Sequence, residues 1–131
     1  MDSFPLTILH DTFRIHRLEA ETPIPVAVLA SPFFAVLRTK EELTLVASES
    51  IAVKSQRMEA DWACFKVDGN LDFSLVGILA RLTGVLAKAH IPVFVLSTFS
   101  TDFLLVKRDK VDAAKSALST SGYQITEEDQ G

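Results

Sequence analysis

The chain has 131 residues, 48% of them apolar and 23% charged, with a formal net charge of −4. That supplies enough apolar material for one ordinary domain, or two very small ones sharing a core, and the acidic balance argues against the basic face that nucleic acid requires. One cysteine, Cys64, and three scattered histidines offer neither an internal disulfide nor the ligand spacing of a zinc site.

No apolar run approaches the roughly 20 residues of a membrane-spanning helix. The start, MDSFPLTILHD, lacks the basic and apolar parts of a secretion signal. A reducing, cytoplasmic setting is therefore expected.

Residues 6–9 and 13–18 are short strand candidates separated by His10, Asp11 and Thr12, a turn-forming group, and together they predict an edge hairpin. His10 and His16 then fall in a turn and on a surface rather than among metal ligands. Pro23 and Pro25 interrupt any ladder or helix, so residues 26–30 predict a single helical turn that stops at Ser31 and Pro32. Strands are predicted at 33–37 and 43–47, with a charged connector between them. Residues 51–60 carry Lys54, Gln56, Arg57 and Glu59 and predict a second connector, which places an internal boundary between 57 and 58.

The remainder is organised by the stretch 71–107. Trp62 opens a strand to Val67, in which Cys64 is an inert buried position, and Asp68, Gly69 and Asn70 supply a turn. A helix is predicted from Asp72 or Ser74, each an acceptable N-cap, with apolar residues at 75, 79, 82 and 86 and at 78, 82, 85 and 89. It ends near His90 because Pro92 cannot continue it. Strands at 93–96 and 103–106 flank a hydroxyl-rich turn, a second helix covers 111–119 with Gly122 as its left-handed cap, and residues 123–125 form a last strand before an acidic, frayed tail. From residue 62 the order is βαββαβ. This predicts an α+β, ferredoxin-like fold: an antiparallel sheet with both helices on one face, the strands from Trp62 and Val93 side by side at its centre, and a strand-rich half before it.

LDFSLVGILA at 71–80 and LSTFSTDFLLVK at 96–107 resemble an ACT domain, and more narrowly the CASTOR-type ACT family; FFAVLRTKEELTLVASES at 33–50 resembles that family's partner half. The resemblance implies two ACT-like halves, an N-terminal one over 1–57 with little helix and a C-terminal ACT domain over 58–131. It also implies a non-enzymatic sensor that binds an amino acid or similar metabolite at a domain interface, without a cofactor. Carried over, the ligand-facing positions are Phe73, Ser74, Leu75, Val76 and Gly77 at the start of the helix, and Thr98, Phe99 and Asp102 around the turn. Asn70, Pro92, Phe99 and Phe103 depart from the family's usual proline, serine and tyrosines, which removes two phenolic hydroxyls.

The chemistry suits such a ligand. Unpaired amides at the positive end of a helix dipole receive a carboxylate, Gly77 permits close approach, and Asp102 answers an ammonium by a charge-assisted bond. Thr98 adds a hydroxyl and Phe99 an apolar wall. Each residue also has a plain structural use: Asp72 or Ser74 as N-cap, Asp102 as cap of its own turn, Phe73 and Phe94 as core. Sheet edges predict self-association, as a dimer or with a regulatory partner protein. The rival is an interaction module that regulates a partner without a ligand, through Phe33 and Phe34 or the acidic tail. Among the motifs of catalysis, G-x-S-x-G, the P-loop and G-x-G-x-x-G are all missing, which argues against an enzyme.

Overall fold

The computed structural model describes residues 4–68 and 77–129. The turn at 69–70, the helix caps Asp72 and Ser74, and the site positions Phe73, Ser74, Leu75 and Val76 lie outside the described residues. The chain divides into two compact units, residues 1–10 with 63–131 and residues 11–62. This differs from a linear boundary at 57, because the first strand belongs with the C-terminal residues.

In the larger unit, β1 (Leu6–Ile8) pairs antiparallel with the second half of β5 (Arg57–Val67) and parallel with β8 (Ile125–Glu127). Strand β7 (Asp102–Lys107) pairs with β5 and with β6 (Phe94–Ser97), so the strand order is β6-β7-β5-β1-β8. The expected adjacency of the strands from Trp62 and Val93 is corrected: β7 lies between them. The right-handed crossover through the helix skips one position, and the tight turn brings β7 back antiparallel into the gap.

Helix α2 (Ile78–Lys88) buries Ile78, Leu82 and Leu86, one turn apart, and α3 (Val111–Thr120) buries Ala114 and Leu118. All five join one apolar cluster with Leu6, Ile8, Phe65, Val67, Leu104 and Val106, alternate positions of three strands, so both helices cover the same sheet face. This is the ferredoxin-like α+β arrangement. Gly77 holds φ +85 at the N-cap. A right-handed helix cannot run through that conformation, so α2 as described begins at Ile78.

Both helices end in the same way. The amides of Gly122 and Tyr123 bond to the carbonyls of Ser119 and Leu118, both at 3.0 Å, and those of His90 and Ile91 bond to Ala87 and Leu86, also at 3.0 Å. The positive φ values of Gly122 (97) and His90 (61) allow these closures, which deliver Tyr123 and Ile91 into the core. The final strand is Ile125–Glu127 rather than 123–125, because Tyr123 is used in closing α3.

The smaller unit contains β2 (Phe13–Leu18), α1 (Val26–Leu29), β3 (Phe34–Arg38), β4 (Leu43–Ser48) and the first half of β5, in the order β3-β4-β2-β5. The expected edge hairpin is overturned: β1 pairs elsewhere, and β2 is flanked by β4 and β5. His16 is accordingly a buried residue, 2% exposed, not a surface one. The connector expected at 51–60 ends at Gln56, because Arg57, Met58 and Glu59 pair with Arg17, His16 and Ile15. Between Glu59 and Trp62 the register shifts by one residue, and Asp61 takes φ 65, the local geometry of a bulge. Helix α1 remains one turn because Pro25 starts it and Pro32 follows it.

Candidate functional site

The β6–β7 turn is built by its own hydroxyls. The Thr98 amide donates to the Thr101 carbonyl at 2.8 Å, and the Thr98 hydroxyl accepts from the Thr101 amide at 3.1 Å. The Thr101 hydroxyl donates to the Val67 carbonyl at the end of β5, which fastens the turn to the strand that leads toward α2. On the opposite side of β5, the Thr7 hydroxyl donates to the Asp68 carboxylate at 2.5 Å, and the Asp68 amide to the Pro5 carbonyl at 2.9 Å. This end of the sheet is thus held by side chains as well as by the ladder.

Of the expected ligand-facing residues, Thr98, Phe99 and Asp102 are together in this turn. Asp102 opens β7 opposite Ser97, whose hydroxyl donates to its Oδ1 at 2.6 Å. The plain use of Asp102, closing its own hairpin, is therefore present. An ionised carboxylate nonetheless accepts more than one donor. Phe99 is 83% exposed at the tip. Gly77 sits at the start of α2, and a Cβ there would meet the Arg81 guanidinium at 3.6 Å. Among the described residues no hydrogen bond joins Gly77 to the turn, which Thr101 ties instead to Val67 at the end of β5. Ser97 and Thr101 were missed as site-shaping residues, although the alternating hydroxyls of STFSTD carried the signal.

Elsewhere, a cleft of about 520 Å³ between α2 and α3 is lined by residues that include Arg81, Gly84, Lys88 and Thr120. A cleft of about 490 Å³ in the smaller unit is lined by Leu18, Glu19, Thr22, Lys54, Ser55 and Gln56. Its Ser55 hydroxyl lies 2.9 Å from Nδ1 of the buried His16. Among the described residues no group of three His, Cys, Asp or Glu side chains could hold a metal, and no helix is long and apolar enough to cross a membrane. Burial, with a contribution from the Glu128 carboxylate, pushes the Cys64 thiol up to about 12, so it stays protonated and unreactive at neutral pH.

Burial first, and the Arg14 guanidinium second, hold the His16 imidazole below its ordinary value. Its cross-strand neighbours, Leu45 and Met58, carry no charge to oppose this. The unfolded chain then binds the proton at a higher pH than the folded protein does. Stability is fully present above the unfolded value of about 6.5 and falls as pH drops through it, by at most about 1.4 kcal/mol per pH unit. Melting temperatures measured from pH 8 to 5 are expected to decline, and to decline less in His16→Gln. An equal decline in both proteins would remove His16 as the cause.

Residues 57–120 match the model of a family described as ACT domain. Protein Atu0741 of Agobacterium tumefaciens is 30% identical, with 99% of this chain and 97% of that one covered and a TM-score of 0.89. The regulatory subunit of aspartate kinase from Thermus thermophilus, in its ligand-free form, has a TM-score of 0.66 at 12% identity over 92% of this chain and 99% of that one. Aspartate kinase of Clostridium acetobutylicum has a TM-score of 0.65 at 10% identity over 86% of this chain and 33% of that one. These last two likenesses carry the fold alone. No curated protein matches. With the family match over the βαββα portion and a relative similar along nearly its whole length, the chain is an ACT-domain protein.

Proposed function

We propose that this is a non-enzymatic regulatory protein that senses an amino acid or similar small metabolite at the corner formed by the start of α2 and the β6–β7 turn. The observation that carries the reading is the fastening of that turn to the end of β5 by Thr101, with the Asp102 carboxylate and the exposed Phe99 ring beside it. An ammonium on Asp102, an apolar group on Phe99, and a carboxylate at the first amides of α2 account for the three parts of an amino acid. Phe73, Ser74, Leu75 and Val76 complete the proposed site by resemblance, with Gly77 leaving room. The regulatory subunit of the Thermus enzyme is similar in fold, which favours a regulatory role over a catalytic one.

The smaller unit is read as a second, degenerate ACT-like half of CASTOR type. Its order β3-β4-β2-β5 repeats β6-β7-β5 followed by β8, apart from the inserted β1. Its first helix is one turn long, and residues 51–56 stand where the second would be. We place the protein in the cytoplasm as a dimer whose assembly completes the ligand interface.

Titration calorimetry of the folded protein against each of the twenty amino acids is expected to give saturable heat with at least one, weakened about tenfold or more by Asp102→Ala, the loss of one charged hydrogen bond. A folded sample that gives no heat with any of them would count against sensing. It would favour regulation of a partner by contact alone, a second reading supported by Val26, Leu29 and Leu37, which are 79%, 53% and 66% exposed.

A further inference from the structure

Strand β2 turns Arg14, His16 and Leu18 to one face of its sheet, where Leu18 packs with Val28, Leu43, Leu45 and Ala47. Over that face the chain lays the single turn of α1, with Val28, and the irregular residues 51–56, with Ile51 and Val53 packed inward. A helix would cover the sheet fully. This thinner cover leaves the cleft of about 490 Å³ at the Leu18 end.

Behind Ser55 of its lining is the buried His16 ring, whose Nε2 has no described hydrogen-bond partner. The imidazole is 2% exposed, and its other nitrogen contacts the cleft through Ser55 Oγ at 2.9 Å. With His16 Nδ1 donating to that oxygen, the serine hydroxyl's own proton is available to an acceptor in the cleft. Lys54 lines the same space. The one acidic side chain in the lining, Glu19, accepts a hydrogen bond from Gln56.

The geometry points to a binding site for a small carboxylate in this cleft, its carboxylate received by the Lys54 ammonium and the Ser55 hydroxyl, with His16 holding Ser55 in place. The site is separate from the β6–β7 corner and does not depend on the role proposed there. Glu19 faces the same space, so an amino acid presents an ammonium to it where a simple acid presents none.

The test is a titration of the full chain, labelled with ¹⁵N at histidine, with sodium acetate, with glycine and with inorganic phosphate at matched ionic strength. The His16 imidazole resonances are expected to move saturably with acetate or glycine, and Lys54→Gln and Ser55→Ala each to weaken the response about tenfold. Tighter binding of glycine than of acetate identifies an amino acid as the natural class, and the reverse a simple acid. Asp102→Ala leaves this response unchanged, which separates its outcome from that of the other site. Resonances that stay in place with acetate and glycine, that respond to phosphate alone, or that move equally in wild type and both variants overturn the proposal.

Discussion

Leu82→Ala is expected to lower stability by about 2–5 kcal/mol, the range for removing a large aliphatic side chain from a packed interior. Leu82 is fully buried at the middle of the α2 stripe, with Ile78 before it and Leu86 after it, in the cluster that includes Phe65, Leu104 and Leu118. Close packing leaves few ways to fill the vacated volume, so a cavity adds to the lost transfer energy. Against the roughly 5–15 kcal/mol of a typical domain, this is a large fraction. Urea denaturation of the variant measures it. A loss below about 1 kcal/mol would mean that α2 is not seated on the sheet as described, and the start of that helix would no longer be positioned at the proposed ligand corner.

Phe13→Ala is expected to cost about 3–5 kcal/mol. Phe13 is 1% exposed at the start of β2, opposite Ser48 on β4 and Trp62 on β5, and its ring centroid is 4.8 Å from that of Phe33 in a tilted arrangement. The tilted pair adds about 0.5–1.5 kcal/mol beyond area burial. Phe13→Leu keeps most of the apolar volume and should lose distinctly less. Equal losses in the two variants, read from denaturant midpoints, would contradict a packing role for the ring.

The C-terminal fold was legible because its signals were local and mutually consistent. The stripe through Leu82 and Leu86, Pro92 after the helix, and Gly122 before Tyr123 each name an element or its end. The N-terminal unit was legible as strands but not as pairings. His10, Asp11 and Thr12 make an acceptable turn, yet β1 and β2 do not pair with each other, since β1 joins β5 and β8 while β2 joins β4 and β5. Pairing at that range leaves no local mark. Arg57 and Glu59 read as a connector because their polarity suits solvent, although a strand with one exposed face tolerates them equally well.

The burial of His16 was hidden for the same reason: a histidine between two arginines resembles a surface position until β2 is known to be flanked on both sides. For the candidate site, the turn residues Thr98, Phe99 and Asp102 were legible from composition and motif. The tie from Thr101 to Val67 was not, because it spans 34 residues of sequence.

Backbone amide NMR of the folded protein titrated with the twenty amino acids tests the sensing role most directly. The account predicts that at least one of them shifts Gly77, Thr98, Phe99 and Asp102 saturably and more than the rest of the chain. Those four signals remaining fixed in every titration would contradict it.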